Sequence, residues 1–344
     1  MARDRSKYLK PKKTLKEQAY EELASMMAFG ESKRQAKDAD TMKDKIFSKA
    51  TYQTYRKHIY YFCDWVKEHY PNCKSIKKAR RYVNEWLKYR TNECKNQSGE
   101  PLSAWTIQTE AAALNKLYQI DVSDPERFQP PKRKREDIKR SRGTKVRDKH
   151  FSEITNEELI NFCKGCGLRR NVMEKITAND LYTKTDLEQI LIDSDDEKLK
   201  GIVRDALSNF GDMEYFVYSY RDKGGKSRFS PIVGEHTEEI VARFRATAPG
   251  KKVWEYVNQY CDVHGYRSDY AVSLYKKYAR NINDIPYDRV HPGTGRKYRS
   301  AKEVYICRGS EAGKVLDRKA ILKISKALGH NREDTAITNY LRNL

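Results

Sequence analysis

No stretch of this chain offers the run of about 18 apolar residues that a membrane-crossing helix requires, and the N-terminus lacks the apolar core of a secretory signal. Those absences argue against a membrane span and against export, so a cytoplasmic protein is expected. Cysteine is sparse and unpaired in number. The seven cysteines, at 63, 73, 94, 163, 166, 261 and 307, are scattered and odd in count, which does not make a disulfide framework in 344 residues, and reduced thiols are expected. Acidic residues are also in deficit, with 48 Asp and Glu against 69 Lys and Arg, for a net charge of +21. A field of that sign draws polyanions to the surface, and nucleic acid is the expected partner.

The residues that are present divide the chain. Residues 1–45 are charged, with Leu15, Ala19, Leu23 and Met26 on one helical face, and read as an N-terminal helical arm or as a helix packed on the next domain. Residues 46–128 read as a small helical domain. In it Tyr55, Ile59, Phe62 and Val66 form one helical stripe that ends before Pro71, a second helix is expected over 75–89, and a third follows Ser103 with Ile107, Ala111, Leu114 and Tyr118 inward. Residues 129–150 then carry ten Lys or Arg between Lys132 and Lys149 against three acids. Such a stretch cannot bury a core, and it reads as a linker in which Lys132, Arg133, Lys134, Arg135, Lys139 and Arg140 meet phosphates.

Residues 151–344 read as a second, mainly helical domain with a small sheet. Thr155-Asn156-Glu157-Glu158 has the pattern of a capping box. Glu214–Tyr220 and Arg228–Val233 read as two strands around a turn at 222–225, and helices are expected through Tyr270, Leu274 and Tyr278 and through Ile321, Ile324 and Leu328 up to Gly329. Residues 184–209 and 281–316 look like added segments, the second with a hairpin or loop at His291-Pro292-Gly293. Cys163, Cys166, Cys261 and His264 form the ligand set of a zinc site on paper. The two halves lie far apart in the chain, neither sits in the short turn of a zinc ribbon, and no metal is expected.

Four segments of the second domain carry chemistry together: Gly167-Leu168-Arg169, Lys223-Gly224-Gly225-Lys226, His264-Gly265-Tyr266-Arg267, and Ala327-Leu328-Gly329-His330 followed by Thr335 and Tyr340. In order and character they resemble the tyrosine recombinases, the phage-integrase family, over roughly 48–344. The resemblance implies a mainly α fold with a small β-sheet: a helical SAM-like core-binding domain and a mixed α/β catalytic domain. It implies a site-specific DNA recombinase or integrase of a phage or mobile element, acting on a double-stranded recombination site as a homotetramer, a dimer of dimers on two sites. A nucleoid-associated location follows.

In that resemblance Arg169 and Arg267 grip the phosphate through planar, permanently charged forks. Lys223 protonates the leaving 5′ oxygen, His264 and His330 hydrogen-bond around the phosphate, and Tyr340 is the nucleophile. Lys226 and Arg228 would anchor DNA. The 3′-phosphotyrosyl bond conserves the phosphodiester energy, so no cofactor is needed. The sequence departs from the family at Val172, where a glutamate is usual and Glu174 is the nearest acid, at Ser268-Asp269-Tyr270, and in the four residues that follow Tyr340. Assembly through another element is therefore expected. A type IB topoisomerase and an inactive DNA-binding relative are the alternative readings.

Overall fold

Hydroxyl caps start four helices of the first half. The computed structural model describes residues 13–133, 151–222, 225–308, 311–330, 333–341 and 344, in two units divided between Asp137 and Ile138. In the first unit Thr14 and Glu17 form a reciprocal capping box at α1 (Leu15–Ser25), Ser32 caps α2 (Lys33–Asp38), and Ser48 caps α3 (Lys49–His69). Then come α4 (Ile76–Ala79), a 3₁₀ turn at Arg80–Tyr82, α5 (Val83–Asn92), and α6 (Ala104–Leu117), capped by Ser103. Each such hydroxyl satisfies an amide that has no partner within its own helix.

Leu15, Ala19 and Leu23 of α1 share one core with Ile59, Phe62 and Val66 of α3 and Ala111 and Leu114 of α6. The segment before residue 46 is thus integral to the helical unit, at least from α1 onward, and is not a detached arm. The helix expected over 75–89 is two helices separated by the 3₁₀ turn. Hydrophobic periodicity survives such a break, because one tightened turn barely shifts the phase of the stripe.

The second unit begins with α7 (Glu157–Cys166) and α8 (Arg170–Met173). It continues through β1 (Leu181–Thr183), α9 (Lys184–Asp193), α10 (Glu197–Phe210), β2 (Tyr215–Asp222), β3 (Lys226–Pro231), α11 (Thr237–Ala246) and α12 (Val263–Tyr278). Two short hairpins follow, β4 (Arg289–Val290) with β5 (Lys297–Tyr298) and β6 (Val304–Ile306) with β7 (Val315–Asp317), and the chain closes on α13 (Arg318–Ala327) and α14 (Glu333–Asn339). The main sheet is antiparallel in the order β1-β2-β3. The protein is mainly helical with small antiparallel sheets.

Successive residues of β2 point to opposite faces, and here each face has its own core. Phe216 packs with Phe210, Leu274, Ile321 and Leu328, whereas Val217 packs with Phe162, Met173, Ile240 and Phe244. Leu187 of α9 and Val203, Ala206 and Phe210 of α10 belong to the first of these cores. The segment 184–209 is therefore part of the body of the domain. The capping box expected at Thr155 does not form: α7 starts after Asn156 without a side-chain cap, and the Thr155 hydroxyl donates to Ser152 O at 3.3 Å. Among the described residues no helix is long and apolar enough to cross a membrane.

Candidate active site

The end of β2 sets the site. Pairing with β3 is regular as far as Ser219 and then shifts before Asp222, and within that irregularity Arg221 takes a left-handed backbone with φ 45°. Such a bulge resets the alternation of faces. Tyr220 and Arg221 both face solvent, and Asp222 turns inward to become 3% exposed. There its carboxylate accepts from two arginines, Arg169 Nη1 and Arg228 Nη1, the latter at 2.7 Å. Arg228 Nε also donates to Ser230 Oγ and to Ala327 O, both at 3.0 Å, so β3 is tied to the end of α13.

Arg267 is the fifth residue of α12, whose amide end is capped by Asp262. It is 1% exposed, and its guanidinium is held on three sides. One terminal nitrogen donates to Gly167 O, the other to Leu328 O, and Nε donates to Tyr340 Oη at 3.3 Å. An arginine has five N–H donors, so among the described residues two remain after these three bonds. Gly167 ends α7 in the left-handed conformation at φ 58°, and an added Cβ would meet the Tyr270 ring at 2.1 Å. Only glycine allows that backbone turn and that approach together, and the turn is what presents the Gly167 carbonyl to Arg267.

Tyr340 follows α14 directly and is 4% exposed. Its ring centre lies 5.7 Å from the rings of both His264 and His330, and 5.4 Å from the Arg267 guanidinium. His330 follows Gly329, whose φ of 68° turns the chain out of α13, and His330 N donates to Ser325 O at 2.7 Å. Its Nε2 is buried with no hydrogen-bond partner among the described residues. Burial, reinforced by Arg267, Arg169, Arg228 and Lys226, lowers the His330 pKa to about 3, so the ring is neutral near pH 7. Burial and the neighbouring Arg228 likewise bring Arg267 down to about 10, which leaves it charged.

No family model and no curated protein sequence matches this chain.

Of the residues singled out in the sequence, Arg169, His264, Arg267, His330 and Tyr340 come together from α8, α12 and the ends of α13 and α14. Lys223 lies outside the described residues, as do Lys134, Arg135, Lys139 and Arg140 of the linker. Lys132 and Arg133 are exposed, and the Arg133 guanidinium sits 5.1 Å from the Trp105 ring centre. Lys226 opens β3, partly buried, and its pKa is lowered by burial and then by Arg169 and Arg228. Arg228, expected on the DNA backbone, is 7% exposed and held inside by Asp222 and Ser230.

His-x-x-Arg falls inside α12, at its second to fifth residues, and not ahead of it. Beside Arg169, His264 and Arg267 a cleft of about 420 Å³ opens, lined also by Glu174, Cys261 and Asp262. The Cys163 thiol donates to Met173 Sδ at 3.7 Å, and its proximity to Cys261 raises the pKa of Cys163 and lowers that of Cys261. Among the described residues no three His, Cys, Asp or Glu converge as metal ligands.

Two residues were not anticipated. Asp222 read as part of the turn because a bulge leaves no mark in hydrophobic alternation. Arg170, next to Arg169, donates to the backbone oxygens of Val257, Asn258, Gln259 and Cys261, which fixes the loop leading into α12. Adjacent arginines look alike in sequence. Their opposite directions at the start of α8 separate an arginine of the candidate site from one that holds a loop.

Proposed function

We propose that this protein is a DNA strand transferase of the tyrosine-recombinase type, which cuts and rejoins duplex DNA through a 3′-phosphotyrosyl intermediate. The observation that carries the reading is the bond from Arg267 Nε to Tyr340 Oη within a cluster that also holds Arg169, His264 and His330. A buried tyrosine hydroxyl against a fixed guanidinium is the arrangement that brings a nucleophile and a phosphate-binding fork to the same point. On this reading the first unit is the core-binding domain and the second the catalytic domain. The active assembly is a tetramer on two DNA sites.

In the reaction the Tyr340 oxygen bonds to phosphorus as the phosphorus–O5′ bond breaks. The tyrosine proton passes to His264. The two free N–H groups of Arg267, and Arg169, stabilise the charge on the non-bridging oxygens, while Lys223 gives a proton to the departing 5′ oxygen. His330, neutral, contributes a hydrogen bond. Reversal by a 5′ hydroxyl from a partner duplex completes strand exchange. The absent glutamate at Val172 was the feature that favoured an inactive relative, and Asp222 supplies a carboxylate to Arg169 from another element.

The test is a nicked suicide duplex built from the DNA on either side of the gene, with products resolved on a denaturing gel. Wild-type protein should form a covalent adduct, and Tyr340→Phe should bind the duplex without forming one. An adduct that persists in Tyr340→Phe would assign the nucleophile elsewhere among the 24 tyrosines.

A further inference from the structure

The segment 281–316 has no part in the chemistry above, yet it carries an exposed and cationic hairpin. Residues 286–298 are exposed at every position, on both faces of the β4–β5 pair. A bare two-stranded hairpin is marginal in water, and this one is built to hold its shape. At the base, Ile285 is 1% exposed, Arg299 Nε donates to Ile285 O at 2.6 Å, and the Arg299 guanidinium stacks 4.3 Å from the Tyr287 ring centre. Asp288 accepts from Ser300 N and Oγ, both at 2.6 Å. At the tip, His291 N donates to Arg296 O at 2.9 Å, and His291 Nδ1 accepts from the amides of Gly293 and Thr294 at 3.2 Å.

The same hairpin is strongly cationic. Residues 286–302 hold five Lys or Arg and one acid, Asp288, whose carboxylate already serves Ser300. No acidic side chain pairs with Arg296 or Lys297 among the described residues. In the register, Arg289 stands opposite Tyr298 on one face and Lys297 opposite Val290 on the other. Cations and one aromatic ring thus line a braced ribbon that nothing among the described residues covers. A two-stranded ribbon fits the major groove of B-DNA, about 12 Å wide, and cations at its edges reach the flanking phosphates.

We propose that the β4–β5 hairpin is a second DNA-contacting element, which lays Arg289, Arg296 and Lys297 on duplex phosphates away from the reacting one. The inference rests on the reading that duplex DNA is the substrate. The hairpin follows the C-terminal end of α12, whereas His264 and Arg267 lie at its N-terminal end. Sixteen residues of helix span about 24 Å, so the added contacts fall on DNA flanking the cleavage point. Their physical role is anchorage without base reading, because phosphate contacts set register and affinity but carry no sequence.

The experiment measures binding of full-length protein to a random-sequence 30-base-pair duplex (about 100 Å long at 3.4 Å per step) as KCl is varied. Replacing Arg289, Arg296 and Lys297 together by alanine should lower the magnitude of the log–log salt slope by about 2.7, or about 0.9 per lost phosphate contact. The same change should weaken binding on the order of 10²-fold at 0.15 M salt. Arg289→Lys with Arg296→Lys keeps the charge and should keep the wild-type slope. If that pair loses as much as the alanine triple, the effect is structural and the proposal is overturned. An unchanged slope in the triple variant overturns it too, including the case in which the variant sediments as a smaller species and the ribbon serves a second copy of the chain. Wild-type protein without salt-dependent DNA binding would instead sink the strand-transferase reading on which the proposal stands.

Discussion

Asp222 holds two arginines with one carboxylate, and its loss should be felt in both stability and chemistry. Breaking a buried pair by removing one charge costs about 3–5 kcal/mol, because the partner is left unpaired in a poorly solvating site. Asp222→Asn keeps the size and removes the charge, so its denaturation midpoint should fall by that order. Adduct formation should drop on the order of 10²-fold or more as Arg169 loses its fixed direction. An unchanged midpoint would show that the two ion pairs do not persist in solution. His330 gives a test with a definite sign. Its folded pKa is about 3 against an ordinary 6.5, so below pH 6.5 the unfolded chain takes up a proton that the folded chain refuses. The stability tied to neutral His330 is complete above pH 6.5 and is lost as the pH falls towards 3. Wild-type protein should therefore lose midpoint more steeply than His330→Gln between pH 6.5 and 4. Parallel curves would count against the burial of this ring.

At the level of elements, the turn from α7 into α8 links backbone geometry to the site. Gly167→Ala would force a left-handed alanine against Tyr270, with overpacking of the order of 1–3 kcal/mol, and would displace the carbonyl that holds Arg267. The variant should unfold at lower denaturant and form adduct more slowly even where it is fully folded. Normal adduct formation by the folded variant would mean that Arg267 is held without Gly167. The helices themselves were legible in sequence from their regular apolar stripes, with a hydroxyl cap to mark the start at Ser103, and the two strands around residues 222–225 were legible from their alternation. Thr155 shows the limit of such patterns. Its capping box needed only the right residue types, and the hydroxyl found Ser152 instead. The place of segment 184–209 in the core was not legible, because its apolar residues, Leu187 and Val203 among them, gain meaning only from the sheet face they cover. Candidate residues near glycine or within short motifs were readable. Asp222 was not, since its role depends on a bulge in a strand pair.

Across the whole molecule, which carries a net charge of +21, a few of the positive charges lie inward. Arg228 and Arg267 are buried, Arg169 is largely so, and burial together with their mutual proximity lowers the pKa of Arg228 and of Arg267. Among the described residues a single aspartate, Asp222, pairs with any of them. The candidate site is therefore electrostatically under-compensated, and a small inorganic dianion should act as a folding ligand. Sulfate should raise the melting temperature saturably above chloride at matched ionic strength, by about 2–4 °C for each kcal/mol of binding. The increment should be larger in Asp222→Asn, where one more positive charge is uncovered, and should shrink in Arg169→Ala. An equal rise in all three proteins would reduce the effect to general salting-out. If the increments separate as stated, the choice of purification buffer decides how much of this protein survives, because phosphate or sulfate would supply the counter-charge that the chain itself leaves short.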